Sequence, residues 1–373
     1  MMAQFIMEET ASAPIADIKR LCCRRPYPSR QYRPGDTMRV FYHGDQARHH
    51  PQLYFSRGQL RAPQEVPARL APLLAALETL GLTPETPADQ GPGPLARVHT
   101  LPYLQFLESA HRRWPEDWGD EVISNVFVRE PNALRGILAE AGRYIADGSA
   151  PIGEATWHAA YASAQSAIAG ADALSQQERL AYALCRPPGH HARADAAGGF
   201  CYLNNAAIAA QRLTASGARV AILDTDMHHG QGIQDIFYSR DDVLYVSIHG
   251  DTTDFYPAVC GFEDERGEGS GHGYNINLPM PHGASETHFF ERLDTAERAI
   301  QLFAPDILIL TLGFDIYHAD PQSRVGVTTE GFERLGHRIA ATHLPTLVVQ
   351  EGGYDIASLE TNAHAFFSSL LSA

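Results

Sequence analysis

The order of apolar and polar positions divides the chain into a short preface and a long alternating body. Residues 1–37 mix apolar, Cys22-Cys23 and basic-proline segments (Arg24-Arg25-Pro26, Arg33-Pro34-Gly35) without a sustained period. They read as an N-terminal extension whose order is not assured, which implies an extension ahead of the fold or a start codon placed too early. Residues 38–42 read as the first strand of the domain proper. Helical spacing comes next over 67–80 (Leu70, Leu73, Leu74, Leu77), closed by Gly81, and over 101–114, closed by Pro115. Residues 81–97, rich in Pro, Gly and Thr, read as loop. Two alanine-rich helices are expected at 133–145 and 156–174.

Thereafter strand and helix alternate. Strands are predicted at 180–185, 220–223, 243–248, 274–278, 307–312 and 346–350, with helices near 204–215, 232–238, 284–303, 329–342 and 359–371, and a glycine-rich loop at 250–273. That alternation specifies an α/β fold with a parallel sheet covered on both faces. With no internal repeat and no domain-sized linker, residues 38–373 are expected to form one domain.

Composition narrows the field of functions. Hydrophobic residues at 44% and charged residues at 20% suit a soluble chain with a sizeable core. A net charge of -15 argues against a nucleic-acid partner and leans towards cationic small molecules or peptides. The five cysteines form no C-x-x-C pair and are odd in number, so no disulfide framework is implied and a reducing compartment fits. Neither a secretory leader nor an apolar run of about 18 residues is evident, so a cytoplasmic protein without a membrane partner is expected.

In a sheet of this kind ligands bind beyond the carboxyl ends of the strands. The residues just after each strand therefore carry the chemistry. After 220–223 come Asp224, Asp226 and His228, spaced by two and so placed on one side if strand geometry persists. After 307–312 comes Gly313-Phe-Asp315. Two carboxylates and an imidazole from Asp226, His228 and Asp315 suit zinc, iron, cobalt or manganese, and three ligands leave positions open for water and substrate. Hydrolysis is the reaction such a centre favours. Simple helix capping by the same residues is the plainer alternative for this segment taken alone.

After 180–185 comes Arg186-Pro-Pro-Gly-His-His191. His190 and His191 form a candidate acid/base pair, and Asp224 is better used to orient one of them than to bind metal. After 346–350 comes Glu351-Gly-Gly-Tyr354, where the Tyr354 phenol is a candidate donor to an oxyanion. Alone, that tripeptide equally describes a turn with a packed ring. The acidic, aromatic stretch from Trp114 to Glu121 reads as a contact surface for a cation or as a solvated loop anchored by two tryptophans.

Arg186-Pro-Pro-Gly-His-His-Ala192, Gly199-Phe-Cys-Tyr-Leu-Asn-Asn205, Asp224-x-Asp-x-His-His-Gly230, Gly313-Phe-Asp315 and Glu351-Gly-Gly-Tyr354 together resemble the arginase/deacetylase superfamily, from about Met38 to the C-terminus. More closely, the chain resembles the bacterial histone deacetylase-like and acetylpolyamine amidohydrolases. The resemblance implies a central parallel sheet of eight strands with helices on both faces. It implies one Zn2+ held by Asp226, His228 and Asp315, the tandem pair His190 and His191, Asp224 as partner of His190, and Tyr354 polarising the carbonyl. Phe200 and Tyr256 would wall a tunnel for the acylated amine, and the Gly199 carbonyl would accept from the substrate amide. A structural K+ is implied at the carbonyls of Asp224, Asp226, His228 and Ile248 with the Ser247 hydroxyl, as is a homodimer or homotetramer.

Two positions depart from the family pattern. Gln231 stands where relatives carry Asp or Asn to orient the second histidine. Leu138 and Ser149 stand where polyamine-specific relatives present carboxylates, for which Glu116, Asp117, Asp120 and Glu121 are candidate substitutes. The expected function is zinc-dependent deacetylation of a small cationic acetylated amine, with acetyl-lysine in peptides or proteins as the alternative. A binuclear manganese ureohydrolase is disfavoured, because Gly230 and Ile316-Tyr317 replace the ligands of a second metal. A non-catalytic acyl-lysine binder would have lost a ligand or Tyr354, and all are present.

Overall fold

The computed structural model describes residues 38–128 and 134–372. The N-terminal extension, Cys22 and Cys23, the first residue of the helix expected from Ala133, and Ala373 lie outside the described residues. Eight strands form one sheet: β1 Arg39–Phe41, β2 Pro84–Glu85, β3 Leu180–Ala183, β4 Val220–Asp224, β5 Val243–Gly250, β6 Asn275–Met280, β7 Ile307–Leu312 and β8 Thr346–Gln350. Their spatial order is β2-β1-β3-β8-β7-β4-β5-β6, and every pairing is parallel. Strands β4, β5, β7 and β8 are buried along their whole length. Continuous aliphatic runs are what a sheet covered on both faces requires.

β2 lies within the stretch expected to be loop. Two residues give no alternation to detect, and Pro84 is tolerated because the strand sits at the sheet edge, where a missing N–H breaks no ladder. Tyr42 N donates to Glu85 O at 3.0 Å, and Arg39 pairs with the Glu85 carboxylate at 2.6 Å.

One face of the sheet is covered by α1 (Leu70–Thr79) and, further along the chain, by helices Glu286–Phe303, Thr329–Ala340 and Ile356–Ser372, through Leu73, Leu77, Phe289, Leu293, Phe332, Leu335 and Phe366. Each such buried side chain contributes about 1.5–3 kcal/mol. The other face packs more closely, using Ala167, Ala171, Ala206 and Ala210 from helices Thr156–Ser175 and Asn205–Thr214. A third cluster, including Tyr103, Phe106, Ile145, Ile152 and Tyr202, joins helices Leu101–Arg113 and Ile137–Tyr144 to the loops beside the sheet end.

A buried ionic knot ties four segments of the chain together. Glu65 pairs with Arg69 at 3.0 Å and with Arg186 at 2.8 Å. Arg69 also donates to the carbonyls of Glu351 and Gly353, and Arg186 to those of Gln46 and His49, all at 2.6 Å. The carbonyl bonds give each guanidinium further partners beside Glu65, which helps offset the cost of burying such a group. Among the described residues no helix is long and apolar enough to cross a membrane.

Candidate active site

The four strands whose ends carry candidate chemistry, β3, β8, β7 and β4, are neighbours at the middle of the sheet. Their loops therefore meet over one spot. The strand does not persist past Asp224, so simple alternation does not place Asp226 and His228. Short carboxylate-to-backbone turns do. Asp224 Oδ1 accepts from Asp226 N at 3.2 Å, and Asp226 Oδ1 accepts from His228 N at 2.9 Å, the local bonding by which aspartate competes with a strand ladder.

Asp226, His228 and Asp315 are all buried, and their donor atoms lie within 4.8 Å of one another. His228 Nδ1 faces Asp315 Oδ2 at 3.0 Å and Asp226 Oδ1 at 3.3 Å. Backbone amides fix both carboxylates: Gly352 N donates to Asp226 Oδ2 at 2.8 Å, and Met227 N to Asp315 Oδ1 at 3.0 Å. Gly352 has to be glycine, since a Cβ there would stand 2.6 Å from Asp226 Oδ2 and 2.7 Å from Asp315 Oδ2. Burial and the adjacent Asp226 push Asp315 above the ordinary carboxylate range. Burial would lower His228, but its hydrogen bonds to Asp226 and Asp315 outweigh it and raise the imidazole to about 9. Two crowded carboxylates sharing an imidazole proton make a donor set that a divalent cation fits, displacing that proton.

His190 and His191 lie beside this set, their ring centroids 3.9 Å apart. Their loop is held from below by Glu351, whose Oε2 accepts from Gly189 N at 2.7 Å and His190 N at 3.1 Å. His190 Nδ1 meets Asp224 Oδ2 at 3.2 Å, and that oxygen also accepts from Tyr245 Oη at 2.9 Å. Burial alone would lower His190, yet the carboxylates of Asp226, Asp224 and Glu351 raise it to about 10. His191 Nδ1 meets Gln231 Oε1 at 2.5 Å, and burial beside two other imidazoles holds His191 well below its ordinary value. The two rings thus have opposite charge preferences.

Tyr354 closes another side. Its amide donates to Asp320 Oδ2 at 2.6 Å, its ring lies 4.9 Å from the Arg69 guanidinium, and burial keeps the phenol protonated against the pull of Arg69. Phe200 meets Tyr354 edge-on at 5.9 Å, and Tyr256 meets His191 edge-on at 4.8 Å. Gly199 and Phe200 form a tight turn closed by reciprocal Gly198–Cys201 bonds of 3.0 and 2.9 Å, with φ of +55° and +66°. A non-glycine residue at positive φ is strained, and here the strain aims an aromatic ring at the site.

Asp147, the Glu65 knot and the role of Glu351 beneath the histidine loop escaped sequence reading. Asp147 accepts from Tyr256 Oη at 2.7 Å. Its one sequence signal was being the sole acid between Glu140 and Glu154. Ser149 Oγ bonds to Asp147 and accepts from Gly199 N at 3.0 Å. Of the four proposed substitute carboxylates, Glu121 is committed to the backbone, accepting from Gln52 N at 3.0 Å and Leu53 N at 3.3 Å. Glu116, Asp117 and Asp120 are exposed. Ser247 Oγ bonds to His249 Nδ1 at 2.8 Å.

A profile of the histone deacetylase domain matches residues 63–370. The acetylpolyamine amidohydrolase of Burkholderia pseudomallei is 66% identical over 333 residues, covering 88% of this chain and 98% of that protein. Acetylpolyamine amidohydrolase 1 of Pseudomonas aeruginosa is 44% identical over 330 residues, covering 86% and 95% respectively. A crystal structure of acetylpolyamine aminohydrolase from Burkholderia pseudomallei superposes with a TM-score of 0.89 at 65% identity, over 90% of this chain and 99% of that one. The match spans most of the chain and the whole strand-end apparatus, so the protein belongs to the histone deacetylase family and is a hydrolase of the deacetylase class.

Proposed function

We propose that this chain removes the acetyl group from small N-acetylated amines, acetylated polyamines foremost, with zinc held by Asp226, His228 and Asp315. The observation that carries this reading is the buried triad of donors beside two imidazoles, each bonded through Nδ1 to its own partner, Asp224 and Gln231. Relatives named acetylpolyamine amidohydrolase support the choice of substrate. When bound, zinc supplies a Lewis acid that polarises the acetyl carbonyl and acidifies a water.

The chain's own groups do the rest. His191 donates from Nδ1 to Gln231, which leaves Nε2 to take the proton of the attacking water. His190, kept charged by Asp224, stabilises the negative charge that develops and completes the pair that protonates the leaving amine. The Tyr354 phenol donates to the oxyanion. Phe200 and Tyr256 wall the approach, and the Gly199 carbonyl receives the substrate amide N–H. Exposed Glu116, Asp117 and Asp120 favour an ammonium at the far end of the substrate. Structural K+ near Asp224 and Ser247, a homo-oligomer and a catalytic unit beginning at residue 38 complete the proposal.

Acetate release from acetylputrescine and acetylcadaverine, measured beside an acetyl-lysine peptide on zinc-loaded protein, tests it. Faster turnover of the diamines is expected. Preference for the peptide would reassign the enzyme to lysine deacetylation, and no release from any of the three would overturn the reaction.

A further inference from the structure

We infer that Asp147 sets the tautomer of His191, acting through Tyr256 and Gln231. The inference rests on the proposed role of His191 in proton transfer. Gln231 is an uncharged partner, and an amide can offer a ring nitrogen either its oxygen or its NH2. Something beyond it has to choose.

The choice is made three residues away in the hydrogen-bond series. Tyr256 Oη lies 2.7 Å from Asp147 Oδ2, Gln231 Nε2 lies 3.2 Å from Tyr256 Oη, and His191 Nδ1 lies 2.5 Å from Gln231 Oε1. A carboxylate only accepts, so the phenol donates to Asp147 and keeps its lone pairs for the Gln231 amide N–H. The amide nitrogen thus faces Tyr256, and its oxygen faces His191. His191 can then only donate from Nδ1, and Nε2 carries a lone pair. Every donor in the series points towards Asp147. Positive charge arising on His191 polarises the same series towards the carboxylate.

Asp147 is well placed for this task. Ala146 N donates to Ala197 O at 2.7 Å, which pins the segment beside the catalytic loops. Asp147 Oδ1 accepts from Ser149 N at 2.8 Å, so the carboxylate is oriented with Oδ2 towards Tyr256. With asparagine at 147 the series loses its fixed end and can reverse. Tyr256 would then donate to Gln231 Oε1, and the amide NH2 would meet His191 Nδ1.

The test uses the full, zinc-loaded chain and two readouts: 15N shifts of the His191 ring, and kcat and KM for acetylputrescine. A wrong tautomer costs up to about 10⁴ in kcat when the carboxylate touches the histidine directly, and with two groups interposed a loss of about tenfold is expected. Asp147→Asn and Tyr256→Phe should shift His191 from the pure Nδ1–H form and lower kcat about tenfold, with KM changed less than about twofold. Gln231→Asp places a carboxylate directly on His191 and should rescue: in that background Asp147→Asn should cost less than about twofold. An unchanged His191 tautomer in Asp147→Asn, or the same kcat loss in both backgrounds, overturns the inference and leaves Asp147 as a builder of its own turn. Should the wild type release no acetate, the functional reading fails, while the 15N shifts still decide this one.

Discussion

Asp226, His228 and Asp315 hang from adjacent strand ends, buried, with backbone amides holding the two carboxylates. Glu116, Asp117 and Asp120 stand on an exposed loop after helix Leu101–Arg113. In the first group every carboxylate oxygen has a hydrogen-bond partner from the neighbouring loops, so a small change disturbs the whole set. In the second group each side chain answers mainly to water. On the proposed function, the buried set, the floor of the site, would determine the reaction, and the acidic loop would bear on which substrate is taken.

The sharpest way to break this contrast is to remove a floor ligand. Asp226→Ala should lose stoichiometric zinc and at least about 10³ in kcat. Chelation of the wild type should do the same, and zinc should restore activity to the wild type alone. Retained turnover in the variant would move the chemistry elsewhere. Tyr354→Phe should keep zinc and KM but lower kcat by about 10²–10³, the size found for one oxyanion donor. A rise in KM without loss of kcat would make the phenol a binding group only.

The support beneath the floor can be probed by pH. Burial pushes His99 down to about 4, and its Nε2 accepts from Asn204 N at 2.9 Å beneath the histidine loop. Between an unfolded value of 6.5 and a folded value of about 4 the unfolded chain binds more protons. The stability His99 contributes is therefore full above 6.5 and lost as pH falls through about 4. Denaturant midpoints of His99→Gln and the wild type should converge over that window. A constant difference would exclude the titration. The smallest effect belongs to the acidic loop. Glu116→Gln with Asp117→Asn should raise KM for acetylputrescine by about two- to fivefold, with kcat unchanged and the difference shrinking at high salt. No salt-dependent change would remove the steering role.

The same contrast explains what could be read from the chain alone. Strand-end positions were legible because continuous aliphatic runs locate the strands, and the sheet gathers the residues just beyond their carboxyl ends. Asp226, His228, Asp315, His190 and His191 come together for that reason, with Tyr354 against Phe200 at the same sheet end. β2 was not legible, because two residues at a sheet edge carry no period. Asp147 and Glu65 were not, because each acts on partners far away in sequence: Asp147 reaches Tyr256 across 109 residues, and Glu65 reaches Arg186 across 121. Periodicity reports the neighbours along an element. It says nothing of a side chain's partner across the fold.

Arg69 bonds to the carbonyl of Gly353, 284 residues further on. A contact of that span brings its reward only after a very long loop has closed, and chains dominated by such contacts fold slowly. The catalytic floor exists only once β3, β8, β7 and β4 are side by side, so refolding should recover helical signal well before it recovers tight zinc binding. Catalytic competence in this chain is therefore expected late in folding, with zinc uptake as the clock that checks it.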